Sequence, residues 1–392
     1  MYGIKLYNHV PAPKPAHSDR IVAAHYYPAW KAGATDLHHG FEDLFDFPER
    51  TPLCGYYESD DPLYMNFEIK WALEHGINCF IYCWYRKKEN EGKPVTLSDL
   101  RLGESLHSGF LRADFAPLMH FAIMYEAQNN WGGTNAADLC GHLLPFWIEN
   151  YFSRPNYLKI DGCPVLFIYD YQNQIRDAFA DAVAQKKAFD ACREACRRAG
   201  FGGLKIALEY RGTDEKAISD ARKRGYDFAF AYCWPYRGEK RPADEAVIQE
   251  QMRLMETRSR QAPDFFCPTA SVMWDPSPRF RSMPKVYTPE NNPSLWQLSP
   301  ESYRELLVRV RQLSNRFPAG SIGRRMVMLD NFNEWDEGHY LLPSLGDGFA
   351  YLEAVREALS DRDNLPDYRL PDALGFGPFD RNWKTPDSRK KE

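Results

Sequence analysis

This sequence lacks the features that mark several common classes of protein. It has no run of about 18 apolar residues, so no segment is expected to span a membrane. It has no basic stripe, and its formal net charge of −5 argues against binding to nucleic acid. The nine cysteines are odd in number and form no C-x-x-C motif, so we expect free thiols, a reducing compartment and no zinc site.

The sequence also shows no pattern typical of an export signal or of a cofactor site. The first residues, 1–7, contain no long apolar segment of the kind found at the centre of a signal peptide. We therefore expect a cytoplasmic protein, or a periplasmic one if a signal peptide was removed. Because no spacing typical of metal ligands occurs, we also expect no metal and no other cofactor.

What the sequence does contain is a regular alternation of strand and helix signals. The strand candidates are almost continuously apolar rather than alternating, which is typical of parallel strands buried on both faces. Amphipathic helical segments lie between them, and the one after the second strand is expected within 96–112. The strand candidates are Ile21–Tyr27, Ile77–Tyr85, Ala116–Tyr125, Pro164–Tyr169, Leu204–Tyr210, Phe228–Trp234, Phe265–Met273 and Arg325–Phe332.

Eight strand–helix units in one series predict an α/β fold of the (β/α)8 type, a TIM barrel. A doubly wound open sheet is the alternative, although no Gly-rich phosphate loop follows the first strand. We expect one catalytic barrel over 21–360, an N-terminal extension over 1–20, and a tail over 361–392 that packs on the barrel. Long insertions at 31–62 and 274–299 should emerge at the C-terminal face, where such barrels build active sites.

Polar and aromatic residues collect at the ends of the predicted strands, which converge in a barrel. Amides, acids and an arginine can hydrogen-bond to hydroxyls, while Trp and Tyr faces suit sugar rings, so we expect a carbohydrate substrate. The candidate substrate-binding residues are Tyr26, Tyr27, Trp30, Trp84, Tyr85, Glu126, Asn130, Trp131, Tyr169, Glu209, Arg211, Trp234, Trp274, Asp275, Asn333 and Trp335.

Several of these candidates have a structural explanation that the sequence leaves open. Glu209 and Arg211 could form an ordinary ion pair, and His25 could be a core histidine. The tryptophans Trp30, Trp84 and Trp234 could each be packing at the rim.

The last strand is followed by two carboxylates three residues apart, Glu334 and Glu337, with Trp335 between them. Paired carboxylates beside an aromatic are suited to cleaving a glycosidic bond: one manages the proton on the leaving oxygen, the other works at the sugar ring, and the aromatic stacks on the sugar. The alternative is that both acids occupy the first turn of a helix, where the helix dipole favours them.

Asn333–Gly338 resembles the Asn-Glu-Trp-x-Glu-Gly signature of glycoside hydrolase family 99 and its WbsX-type relatives, which occur in bacterial polysaccharide systems. Weaker matches run in the family's order along most of the chain. They comprise Tyr26–Pro28, Glu74–Tyr85, Asn130–Trp131, Tyr157–Tyr169, Trp274–Asp275 with Arg279, and Gly348–Leu352. The sequence departs from the family at Leu341–Pro343, where relatives often have an acid, and in a short loop after Trp131.

The resemblance implies a (β/α)8 barrel and a retaining α-glycosidase typified by endo-acting α-mannosidases. It makes Glu334 the base that deprotonates the sugar's 2-hydroxyl, which then forms a 1,2-anhydro sugar, and Glu337 the general acid and base. It also implies that Tyr26 or Tyr27 contacts the reactive sugar. A glycosyltransferase of polysaccharide biosynthesis and a non-catalytic sugar-binding barrel remain as alternatives, and the sequence leaves the oligomeric state open.

Overall fold

A ring of parallel strands forms the centre of the protein. The computed structural model describes residues 9–32, 40–127, 133–170, 173–377 and residue 379. The ring strands, in chain order, are β1 (Ile21–Tyr26), β2 (Cys79–Arg86), β3 (His120–Glu126), β4 (Cys163–Tyr169), β5 (Lys205–Glu209), β6 (Phe228–Phe230), β7 (Thr269–Ala270) and β8 (Met326–Asn331). Their hydrogen-bonded order is β6-β5-β4-β3-β2-β1-β8-β7.

The ring closes between β6 and the segment just before β7. Ala229 forms a parallel bridge with Phe266, and its N–H donates to the carbonyl of Phe265 at 2.7 Å. On the other side, β1 lies between β2 and β8, with Ala23 aligned with Cys79 and with Met328. A doubly wound sheet would have two open edges, so the (β/α)8 barrel is confirmed and the open-sheet alternative is wrong.

Within the described ranges, six helices of nine residues or more surround the ring. They are α1 (Pro62–Glu74), α2 (Ala182–Arg198), α3 (Glu215–Lys223), α4 (Asp244–Gln261), α5 (Pro300–Asn315) and α6 (Ala350–Leu359). A polar side chain just before the first residue caps four of them, because Asp61, Asp181, Asp214 and Ser299 each accept a hydrogen bond from a backbone N–H of the first turn.

The second and third units have irregular helices. After β2, the predicted helical window contains the 3-10 turns Leu97–Asp99 and Phe110–Arg112 and the π-helical turn Ser105–Gly109 between them, but no regular α-helix. After β3, α-helical turns (Ala136–Asp138, Leu144–Trp147) alternate with π-helical turns (Leu139–Leu143, Ile148–Phe152). Pro145 lacks an N–H and so cannot take part in a regular α-helical ladder at this point.

The sixth and seventh strands are shorter than the sequence predicts. Beyond Phe230, backbone N–H groups are satisfied by side chains of neighbouring strands and loops rather than by a ladder: Tyr232 donates to Glu209 at 3.2 Å and Trp234 to Ser271 at 2.9 Å. The predicted seventh strand is divided into Thr269–Ala270, in the ring, and Met273–Trp274, which pairs antiparallel with Trp296–Gln297.

The C-terminal segment lies against α1. Phe376 packs edge-on against Phe67 with ring centroids 5.7 Å apart, and Phe379 packs against Tyr64 at 5.3 Å. The division of the chain at residues 20 and 360 stays a prediction. No helix in the described ranges is both long and apolar enough to cross a bilayer.

Candidate active site

The segment after β8 folds into a tight hairpin. Asn333–Glu334 pairs antiparallel with His339–Tyr340, and a 3-10 turn, Trp335–Glu337, connects them. Gly338 ends this turn at φ +80°, a left-handed conformation that side chains disfavour, and a Cβ there would lie 3.1 Å from the backbone nitrogen of Asp275. The hairpin is therefore held closely against the loop after β7.

Arg279, from that loop, is the centre of the charge cluster. Its guanidinium donates to Asp336 through Nε at 2.8 Å and through Nη2 at 2.9 Å, and Nη2 also donates to Glu334 at 2.9 Å. Nη1 donates to Glu337. Three carboxyl groups thus share one buried cation, so keeping all three ionised leaves excess negative charge in a poorly solvated place.

Glu334 is the carboxyl group that responds to this crowding. Burial, and next the negative charge of Glu337, raise the pKa of Glu334 to about 7, although Arg279 opposes the rise. One of its oxygens accepts hydrogen bonds from the hydroxyl of Tyr232 and, at 2.5 Å, from Nδ2 of Asn331. This carboxyl group can therefore exchange a proton near neutral pH.

Glu334 and Glu337, which follow the C-terminal end of β8, keep a little solvent exposure, whereas Asp336 keeps none. The side chains of Glu334 and Glu337 keep 6% and 7% of their surface exposed, while that of Asp336 has none. The hydroxyl of Tyr287 donates a hydrogen bond to Glu337 and accepts one from Nη1 of Arg279 at 2.9 Å.

Several predicted residues gather around this pair. The ring of Tyr27 lies 5.9 Å from the guanidinium carbon of Arg279. On the opposite wall, Arg211 donates to Glu209 at 2.6 Å and to the hydroxyl of Tyr169 at 2.7 Å. The Tyr169 ring in turn packs edge-on against Tyr232 at 5.5 Å.

Glu126 and Tyr85 complete the interior of the mouth. Burial is the main reason that the pKa of Glu126 lies well above its usual range, and the charges of Glu334 and Glu209 add to the rise. The pKa of the Tyr85 phenol is raised by burial and then by Cys83, Glu126 and Glu334. Both side chains therefore share the environment of the carboxylate pair.

Four of the predicted substrate contacts are turned away from the mouth, and their assignment to sugar binding is corrected here. Tyr26 donates to Glu68 on α1 at 2.7 Å. The indole N–H of Trp84 donates to Tyr151 at 2.9 Å, and that of Trp234 donates to the carbonyl of Thr269 at 2.8 Å. Trp30 stacks on Phe41 with centroids 4.4 Å apart and is fully buried.

The prediction that Trp335 stacks on the sugar is also wrong, because its ring does not lie over the space between the two glutamates. It is fully buried, stacks on Tyr340 with centroids 4.4 Å apart, and donates from its indole N–H to the hydroxyl of Tyr57 at 3.0 Å. Trp335 therefore fixes the hairpin to the core through its contacts with Tyr340 and Tyr57.

The remaining candidates position the loops or lie outside the described residues. Asn333 is fully buried and joins the hairpin to β1, accepting from the N–H of Tyr27 at 2.7 Å and donating to its carbonyl at 2.9 Å. Trp274 packs on His339 at 5.0 Å, and Asp275 accepts from Arg50 at 2.5 Å. Asn130 and Trp131 lie outside the described residues.

His25 is a core histidine, as the structural alternative proposed. It is fully buried, and its ring lies 4.7 Å from that of Tyr232. Burial lowers its pKa to about 3, which keeps it neutral.

Three residues that touch the carboxylates, Asn331, Tyr232 and Tyr287, are not among the predicted site residues, and Arg279 was predicted only as part of a motif. Tyr232 lies past the end of β6, where the chain is no longer a regular strand, and Trp234 two residues later is turned away from the carboxylates, so alternation along the strand does not indicate Tyr232. Tyr287 lies in a long insertion with no periodic pattern, and no sequence signal marks it. Among the described residues, no group of three or more His, Cys, Asp or Glu side chains is arranged to hold a metal.

The fold agrees with comparisons to known proteins. The endo-α-mannosidase of glycoside hydrolase family 99 from Bacteroides thetaiotaomicron superposes with a TM-score of 0.59 at 15% identity, covering 87% of this chain and 96% of that one. A structure described as a glycoside hydrolase-like protein gives the same TM-score and identity over 90% and 98% of the two chains. These likenesses establish a shared barrel fold.

Residues 142–355 match the family model described as "Glycosyltransferase WbsX", and the chain belongs to this family. The uncharacterized protein WxcX of Xanthomonas campestris pv. campestris, in two strains, is 25% identical over 363 residues. That alignment covers 84% of this chain and 47% of WxcX, so the chain spans about half the length of the curated relatives it matches.

Proposed function

We propose that the protein is a retaining α-glycoside hydrolase that acts on an α-linked oligosaccharide or polysaccharide. The observation that carries the proposal is the pair of Glu334 and Glu337 at the mouth of the barrel, both reached by Arg279 and both still partly exposed. A mannoside-like substrate is our first choice, because the similar structure of known activity is an endo-α-mannosidase.

In the proposed reaction, Glu334 takes the proton from the 2-hydroxyl of the sugar while O2 attacks the anomeric carbon. Glu337 gives a proton to the glycosidic oxygen, the leaving group departs, and a 1,2-anhydro sugar forms. Glu337 then removes a proton from a water molecule while the water oxygen attacks the anomeric carbon. This attack opens the three-membered ring of the anhydro sugar, and Glu334 returns its proton to O2. Two displacements at one carbon retain the anomeric configuration.

The proton affinity of Glu334 supports its role as a base. A general base is most effective when its pKa lies near the working pH, and the pKa of Glu334 is raised to about 7. The ionised form needed for attack is therefore available at neutral pH without being so stable that it is unreactive.

The family description favours a second candidate, a glycosyltransferase. The charges around the mouth weigh against it. Carboxyl groups outnumber guanidinium groups there even without Glu126, whose raised pKa keeps it neutral: Glu209, Glu334, Asp336 and Glu337 lie around Arg211 and Arg279, and each arginine already pairs with a glutamate. A nucleotide-sugar diphosphate would enter a site of its own sign, whereas a neutral sugar would not.

The test is a screen against aryl α-glycosides and α-linked oligosaccharides, run in parallel with nucleotide-sugar donors. We expect release of reducing ends with retained configuration by NMR, and loss of that activity in Glu334→Gln but not in Glu215→Gln, an exposed control. Consumption of a nucleotide sugar with no hydrolysis would establish the second candidate. Binding without turnover of either kind would point to a sugar-binding barrel.

The mechanism needs a separate test on the substrate found. If Glu334 deprotonates O2, a 2-deoxy substrate should be inert, and an activated 2-deoxy-2-fluoro glycoside should leave no adduct by intact mass. A stable adduct on Glu334 would instead make it an ordinary nucleophile, and an inverted product would exclude both retaining routes.

A further inference from the structure

Two cysteines that play no part in the proposed reaction lie in contact on the outer layer of the barrel. Cys140 is in the π-helical turn Leu139–Leu143 that follows β3, and Cys192 is in α2, which follows β4. Their sulfur atoms are 3.7 Å apart, and Sγ of Cys140 is also 3.7 Å from the carbonyl of Ala188, one turn earlier in α2. The two thiols therefore face each other across a helix–helix contact.

The two sulfurs differ in accessibility and acidity in a way that suits stepwise oxidation. Cys140 is half-buried and Cys192 is buried. The hydrogen bond from Cys192 lowers the pKa of Cys140 to about 7, so a large part of it is thiolate at neutral pH. Its partner, whose pKa is raised, stays a protonated thiol behind it.

We propose that Cys140 and Cys192 form an oxidative modification site that a peroxide converts into a disulfide. The thiolate of Cys140 attacks one peroxide oxygen, the O–O bond breaks, and with one proton the products are a sulfenic acid on Cys140 and water, when the oxidant is hydrogen peroxide. The sulfur of Cys192 then displaces hydroxide from the sulfenic sulfur. Its own proton completes a second water, so two thiols and one peroxide give one disulfide and two waters.

The cross-link requires a modest movement. A disulfide bond is about 2.05 Å long, so the sulfurs must approach by somewhat under 2 Å, which side-chain rotation and a small shift of the irregular helical turn can supply. The closed loop spans 52 positions and includes the whole of β4 with Tyr169 at its end. Closing a loop of this length should raise the melting temperature of a chain of 392 residues by roughly 5 °C.

Cys163 provides a matched control. It is half-buried like Cys140 and its sulfur is likewise 3.7 Å from a backbone carbonyl, that of Asp161. It lies at the start of β4, away from this contact. Exposure alone would make Cys163 as reactive as Cys140, whereas the proposal gives a disulfide between Cys140 and Cys192, whose sulfurs are already in contact.

The experiment treats the wild type, Cys140→Ser, Cys192→Ser and Cys163→Ser with hydrogen peroxide, then alkylates free thiols under denaturing conditions. For the wild type and Cys163→Ser we expect a mass about 2 Da lower before alkylation, a linked Cys140–Cys192 peptide, and a melting temperature raised by roughly 5 °C and restored by dithiothreitol. Neither Cys140→Ser nor Cys192→Ser should give these changes.

Recovery of both wild-type thiols in alkylated form would overturn the proposal, and so would sulfinic acid on Cys140 without the linked peptide. An equal rise in melting temperature in Cys192→Ser would do the same. Peptide mapping of the wild type decides the matter even if a serine variant folds poorly.

Discussion

Replacing Glu334 with glutamine should stabilise the protein in mildly alkaline solution, even though it should abolish catalysis. Glu334 is almost completely buried, and one cation serves three carboxyl groups around it. A glutamine keeps nearly the same shape but cannot ionise. The variant therefore removes the electrostatic penalty of the site and leaves its packing in place.

The magnitude follows from the pKa. Burial and the charge of Glu337 raise the pKa of Glu334 from 4.5 to about 7. At about 1.4 kcal/mol for each pH unit, this difference corresponds to about 3 kcal/mol. Because the folded-state pKa lies above the unfolded one, the penalty is absent below pH 4.5, grows between pH 4.5 and about 7, and is complete above that range.

The substitution also weakens hydrogen bonds to the side chain at position 334, and this loss is present at every pH. The oxygen of Glu334 that accepts from Tyr232 and Asn331 would be replaced by an amide if the glutamine kept its other oxygen towards Arg279. Rotating the Tyr232 hydroxyl and flipping the Asn331 amide would restore these bonds in part, so we assign a loss of about 1 kcal/mol. The variant should then be slightly less stable than the wild type at pH 4.5 and about 2 kcal/mol more stable at pH 8.

The assay is urea unfolding of both proteins at several values between pH 4.5 and 8. The decisive quantity is the difference in the free energy of unfolding, which should increase by about 3 kcal/mol over this range. Glu245→Gln is the control, because Glu245 is exposed and hydrogen bonds from Gln249 and Arg309 lower its pKa; its effect should have the opposite sign. A difference for Glu334→Gln that stays constant or falls with pH would refute the electrostatic account of the site.

Two further predictions concern catalysis. Glu337→Gln should abolish turnover of substrates with poor leaving groups but spare activated aryl glycosides, because a good leaving group needs no proton; equal losses on both substrate types, compared as kcat/KM, would contradict its role as the acid. Activity should persist in a chelator, since the proposed steps move only protons and carbon–oxygen bonds; loss in the chelator and recovery with a divalent ion would show that a metal takes part.

Which residues form the barrel could be predicted more readily than which way they point. The eight apolar runs and the helical segments between them were enough to predict the ring, because parallel strands buried on both faces differ plainly in composition from their surroundings. Because these strands are apolar on both faces, their composition does not show which side chains point into the barrel and which point outward. In β2, the side chains of Tyr82 and Trp84 point outward and donate hydrogen bonds to Met65 and Tyr151, respectively. Tyr85 instead lies beside the carboxyl groups at the mouth.

Strict alternation along a strand would have corrected two assignments without a structure. Residues two positions apart share a face of a strand, so Trp84 and Tyr85 cannot both face the mouth, and within the predicted first strand neither can Tyr26 and Tyr27. Arg279 and Tyr287 are a different case. They reach the carboxylates from a long insertion after β7, and their positions depend on contacts between distant parts of the chain that no local pattern encodes.

The position of Trp335 follows from the geometry of its turn. Glu334 immediately precedes the 3-10 turn Trp335–Glu337, whose repeat is three residues, and both acids accept hydrogen bonds from Arg279, so they lie on one side of the turn. Trp335 is then about a third of a turn away, which directs it towards Tyr57 and Tyr340 in the core. The spacing that places the two acids on one side of the turn is therefore the reason that the tryptophan between them points to another side.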